Sequence, residues 1–208
     1  MFAKVKGKLS RNTPWLADIF DLVIICLITL IIAKVLTSYV ILNGHVPSGS
    51  METTIMTNDR IVAYRLEYLF KEPQRGDIVV FPSPDDKENG ITNYLVKRII
   101  GLPGETLSVS GGKVYINNQE LEEPYISSEI ESDFDLTYIP ENCYFMMGDN
   151  RANSSDSRFW ENKFVPREDI MGKVVLRYTT DLKNFQIEVI HSYNDYDIMI
   201  YKDDDYVR

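Results

Sequence analysis

The chain has 208 residues and a formal net charge of -9, with only two cysteines and two histidines. That length holds one domain of ordinary size beside a membrane segment, and the acid excess argues against nucleic acid as a partner, since phosphate binding needs clustered Lys and Arg. Cys26 lies in an apolar stretch, Cys143 lies far along the chain, and HExxH and CxxC spacings are absent, so neither an internal disulfide nor a metal centre nor a cofactor is expected.

Residues 1–14 carry Lys4, Lys6, Lys8 and Arg11 and read as a basic cytoplasmic N-terminus. From Trp15 to Ala33 the sequence runs WLADIFDLVIICLITLIIA, which as a helix spans roughly 28 Å, close to the hydrocarbon thickness of a bilayer. Residues 15–34 are the expected transmembrane helix, with Trp15 as an interfacial anchor and Lys34 at its outer end. Asp18 and Asp21 near its start suit the interface and the positive end of the helix dipole. The positive-inside rule places the N-terminus in the cytoplasm and the rest of the chain outside. A cleavable signal peptide is the alternative, but the core is long and no Ala-x-Ala-like site follows it.

Residues 35–180 form the expected extracytoplasmic domain, mainly β, because β-branched and aromatic residues fill short segments broken by Gly, Pro, Asn and Asp. Strands are predicted over 38–42, 60–64, 77–81, 94–100, 106–110, 113–116, 143–147 and 172–178, with Gly111-Gly112 as a tight hairpin turn. The stretches 83–90 and 122–135 read as surface excursions with little order. Residues 181–208 form an acidic, Tyr-rich extension of unassigned role. In it 187–190 and 196–202 offer a closing hairpin, with a solvated tail as the alternative.

Three places carry candidate chemistry. Ser50 in Pro47-Ser48-Gly49-Ser50-Met51 follows a glycine that lets the backbone approach a substrate and aim an amide at an oxyanion, with Ser48 as a second donor. An ordinary turn serine is the other reading. In the strand 94–100, Lys97 shares one face with Leu95 and Ile99, and Arg98 the other with Val96 and Ile100, so whichever face is buried carries a cation. A snorkelling lysine at a strand edge is the bland reading. To serve as a base the Lys97 amine must fall from about 10.4 to near 7, a shift worth roughly 4–5 kcal/mol that desolvation can supply. The loop from Gly148 to Arg158 is either a plain polar loop with an Asp156/Arg158 ion pair, or a source of a hydroxyl and charges that brace a Ser/Lys dyad.

With these residues the chain resembles the bacterial type I signal peptidases, membrane-bound serine proteases that remove signal peptides from exported proteins. PSGSM at 47–51, RGDIVVF at 75–81, KRIIGLPGE at 97–105 and GDNRANSSDSR at 148–158 stand in the family's order. The resemblance implies a β-rich catalytic domain behind one N-terminal transmembrane helix in the bacterial plasma membrane. It makes Ser50 the nucleophile and Lys97 the general base. Ser154 becomes the hydroxyl that orients the lysine, and Ser48 with the Ser50 amide the oxyanion hole. Asp149 and Asn150 are structural, Asp156 and Arg158 the bracing ion pair, and Arg98 the arginine that follows the base. Implied partners are preprotein signal peptides cut after small residues, membrane lipid and the export machinery. The short chain with one span is similar to the Gram-positive enzymes. Thr53 where proline is usual, and Glu161-Asn162-Lys163 where one glycine is commoner, depart from the family pattern.

The main alternative is a non-catalytic, membrane-anchored assembly factor for secreted or pilin subunits. A Ser-His enzyme using His45 or His191 is a second. A penicillin-binding enzyme needs Ser-x-x-Lys, but Thr53 stands three residues after Ser50. GLPGE lacks the Gly-Lys-Ser/Thr ending of a phosphate loop.

Overall fold

The computed structural model describes residues 14–126, 128, 130, 132–179 and 185–191. The chain divides into two compact units, Met1–Ile41 and Leu42–Arg208. Lys4, Lys6, Lys8, Arg11 and the predicted segment 196–202 lie outside the described residues.

The first unit is a helix, Pro14–Val35, continued by a wider π-helical turn over Leu36–Val40. Leu22, Ile25, Leu30 and Ile31 are all exposed, so the helix is apolar all round, as lipid contact demands. Asp18–Val40 is long and apolar enough to cross a membrane. The strand predicted over 38–42 begins only at Ile41, because a β-branched apolar run has no period that separates helix from strand.

The second unit is β-rich. Its strands are β1 (Ile41–His45), β2 (Arg60–Tyr64), β3 (Ile78–Pro82), β4 (Tyr94–Gly101), β5 (Thr106–Ser110), β6 (Lys113–Ile116), β7 (Gln119–Glu120), β8 (Phe134–Tyr138), β9 (Cys143–Met147), β10 (Val165–Pro166), β11 (Gly172–Tyr178) and β12 (Ile187–Val189). The larger sheet runs β1-β2-β11-β3-β4-β9-β10, with β12 added to β11, and the smaller runs β7-β6-β5-β8. Gly111 and Gly112 both take positive φ, 56° and 81°, in the two-residue turn between β5 and β6. That conformation favours a primed hairpin turn and so glycine.

The excursions are more ordered than their composition implies. Pro84–Glu88 is a short helix within 83–90, and β8 takes the end of 122–135. In the tail, the first half of the predicted hairpin is a strand, β12, lying antiparallel to β11 with Arg177 opposite Glu188.

β4 is an interior strand of the larger sheet, between β3 and β9, and is buried from Lys97 to Gly101. One apolar cluster holds Val79, Phe81, Ile99, Met146 and Trp160, and another holds Met51, Ile55, Ile78, Val80 and Val174. Ile100 belongs to a third cluster, with Leu107, Val114 and Phe145 of the smaller sheet's side. Both faces of β4 are therefore covered, and the two adjacent cations are both forced into the interior.

Candidate active site

The Ser50 loop runs from β1 to β2 and is closed at its base by backbone bonds from Val46 N to Asp59 O and from Asn58 N to Val46 O. Met51 and Ile55, both fully buried, root it in the core and leave Ser50 at the edge of that core. Lys97 lies opposite Val79 in the β3/β4 ladder and is only 3 % exposed. Its Nζ donates to Ser50 Oγ at 2.5 Å, a contact between residues far apart in the chain. Burial pushes the Lys97 amine down to about 8, against the opposing pull of Asp156 and Asp149 and with help from Arg158.

The turn after β9 lies beneath the serine. Asn150 N donates to Ser50 O at 3.1 Å and Asn150 Nδ2 donates to Gly49 O at 3.0 Å. A Cβ on Gly148 would overlap both Ser50 O and Ser154 Oγ, so glycine is what lets the two loops meet there. Asp156 takes two hydrogen bonds from the Arg158 guanidinium, each 2.8 Å, and one from Gly148 N at 3.0 Å. Asp149 takes two from Arg98, at 2.8 and 2.6 Å, and one from Thr54 Oγ1 at 2.5 Å. Both ion pairs are buried, and each fixes a position next to the reactive pair.

Ser48 is exposed, with its hydroxyl 3.5 Å from Ser50 Oγ. Ser154 is buried, yet its Oγ has no hydrogen-bond partner among the described residues, and so none with Lys97. Of the sequence-predicted residues, then, Lys97, Ser48 and Asn150 bond directly to Ser50, and Arg98 with Asp149 and Arg158 with Asp156 form two ion pairs beside them. Ser154 reaches the site by position alone.

This arrangement of a serine on a buried amine meets a match in sequence, because residues 19–179 fit the family described as signal peptidase, peptidase S26. The chain belongs to that family. A signal peptidase I of Leptolyngbya laminosa is 40% identical over 73% of this chain and 75% of its own. Signal peptidase I S of Bacillus subtilis is 32% identical over 72% of this chain and 83% of its own. A crystal structure of a signal peptidase I from Enterococcus faecalis is 36% identical, covers 50% of this chain and 97% of that one, and has a TM-score of 0.42.

Within this signal peptidase, sequence reasoning missed Thr54, Glu123 and Tyr125. Glu123 and Tyr125 stand in the stretch read as a loose excursion, yet both reach the site: Glu123 pairs with Arg151, and the Tyr125 ring lies 3.9 Å from the Arg98 guanidinium. The Glu-Pro-Tyr run was the available signal, since an aromatic in a surface-like stretch needs somewhere to pack.

Proposed function

We propose that this signal peptidase hydrolyses the bond after the signal peptide of exported preproteins with a Ser50/Lys97 dyad. The 2.5 Å contact between Lys97 Nζ and Ser50 Oγ carries the reading. Neutral Lys97 takes the Ser50 proton as Oγ attacks the scissile carbonyl, and the resulting ammonium returns that proton to the leaving amine. The mature N-terminus departs, an ester links Ser50 to the signal peptide, and water deprotonated by the same amine releases it. The Ser50 amide and the Ser48 hydroxyl take the oxyanion, and Ser154 orients the lysine when substrate is present.

Shallow pockets that reject larger side chains would give cleavage after small residues. The chain anchors in the bacterial plasma membrane by one pass of its apolar helix, N-terminus inside, so that the catalytic unit meets preproteins as they leave the export machinery at the lipid surface. Purified wild type, Ser50→Ala and Lys97→Ala, each incubated in liposomes with a preprotein bearing an Ala-x-Ala site, decide the matter. Cutting by the wild type alone supports the dyad, whereas a folded wild type that binds precursors without cutting them leaves the assembly-factor reading.

A further inference from the structure

The connection between β7 and β8 does more than join two strands. Glu123 lies there, and both of its carboxylate oxygens accept from Arg151, at 2.5 and 2.6 Å. The two side chains are 4 % and 0 % exposed. Tyr125 donates from its hydroxyl to the same carboxylate at 2.8 Å and lays its ring against Arg98, 3.9 Å from the guanidinium carbon. Ser128 Oγ accepts from Ala152 N at 3.4 Å. One short stretch thus touches two arginines beside the reactive pair, Arg98, next to Lys97 in sequence, and Arg151, in the turn under Ser50.

Each arginine passes the contact on. Arg151 Nε donates to Gly148 O at 3.1 Å, and the Arg151 carbonyl accepts from Arg158, the partner of Asp156. Arg98 holds Asp149, which holds Thr54 four residues from the nucleophile. A bidentate pair with both members desolvated has one geometry, and losing one member strands the other charge. The Asp149 carboxylate, which also acts on Arg151 through its charge, is already bound to Arg98 and Thr54.

Resting on the dyad reading above, we infer that Glu123 and Tyr125 are positioning residues for the reaction, a clasp through which the smaller sheet's connection fixes the turn that carries Ser50 and Lys97 into register. The clasp acts on geometry, not on substrate contact, so its loss lowers turnover and spares binding.

The test compares the full chain in detergent as wild type, Glu123→Gln, Tyr125→Phe and Ser50→Ala, with a preprotein bearing an Ala-x-Ala site, well below the melting temperature of each. Glu123→Gln should lose about 10-fold or more in kcat with KM within about 3-fold of wild type, the size expected of sub-ångström misplacement. Tyr125→Phe, which keeps the ring over Arg98 and drops the bond to Glu123, should lose less, in kcat again. Unchanged kcat in Glu123→Gln overturns the inference, as does a loss confined to KM. Should Glu123→Gln fail to fold, Tyr125→Phe decides on the same terms. Cleavage by Ser50→Ala would sink the dyad and this inference with it, while an inactive Ser50→Ala beside a fully active Glu123→Gln sinks the inference alone.

Discussion

Asn150 grips Ser50 through the backbone: its N–H donates to the Ser50 carbonyl while its side-chain amide donates to the carbonyl one residue earlier. The peptide joining Gly49 to Ser50 is planar and trans, so a Gly49 carbonyl held toward Asn150 turns the Ser50 N–H the opposite way. The proposed oxyanion donor is thereby aimed by a residue on another strand's turn. Asn150→Asp puts a carboxylate where the Nδ2 donor faces Gly49 O. We expect kcat to fall about 100-fold, the scale of losing one oxyanion donor, with KM little changed. Steady-state cleavage of a preprotein measures it, and wild-type kcat would remove Asn150 from this role.

The pH dependence follows from the buried amine. Only neutral Lys97 accepts the Ser50 proton, and burial brings that amine down to about 8. The rate should climb with pH and level off above that midpoint. A midpoint near 10 would mean a solvated lysine. Asp156 holds the lysine pKa up, so Asp156→Asn should move the midpoint below the wild-type one, at a cost in stability of about 3–5 kcal/mol from the stranded Arg158. A pH–kcat profile of both proteins reads the shift.

Ser154→Ala separates position from bonding. The wild-type hydroxyl is buried with no partner among the described residues, so deleting it gives up no bond and relieves an unmet desolvation cost. Stability should hold or rise by up to about 1 kcal/mol. Turnover should nonetheless drop roughly 10-fold or more if the hydroxyl meets the lysine during reaction. A variant that is both as stable and as fast as wild type takes Ser154 out of the mechanism.

How much of this was legible beforehand depends on the range of the interaction. β2, β5, β6, β9 and β11 match the predicted segments because β-branched and aromatic content bounded by turn residues is local to each strand. β10 was invisible, being two residues long, and β8 lay in a stretch whose composition reads as loop. At the site, Ser50 and Lys97 were readable from motifs, yet the bond between Arg98 and Asp149 was not, since each side chain looks ordinary until β4 and β9 are placed side by side. Glu123 and Tyr125 were hidden for the same reason, with a surface-like loop composition around them.

Gly148→Ala tests the contact between the two loops. The added methyl would overlap Ser50 O and Ser154 Oγ, one a backbone atom and the other fixed in a buried site, so neither can yield cheaply. Overpacking of this kind costs about 1–3 kcal/mol, and it pushes the nucleophile away from Lys97. Thermal unfolding and preprotein cleavage should both suffer. Intact activity would show that the loops separate more readily than the packing implies.

Lys97→Met should make the protein inactive and more stable. In the folded chain the amine sits at about 8, against 10.5 for the solvated side chain, so the folded state binds the proton less tightly than the unfolded state. Between those two values the unfolded chain carries more protons, and stability rises with pH across that window. Below pH 8 the penalty is present in full, about 3 kcal/mol at ~1.4 kcal/mol per pH unit of difference. Methionine is close to lysine in length, is uncharged and fits an irregular apolar space, so it removes the penalty with little change in volume. Denaturant unfolding of the full chain in detergent at pH 7 should place Lys97→Met above wild type by that order, and the gap should narrow as pH approaches 10.5. Equal stability at pH 7 would mean that the lysine is solvated in solution, which would in turn remove the physical basis for its acting as a base.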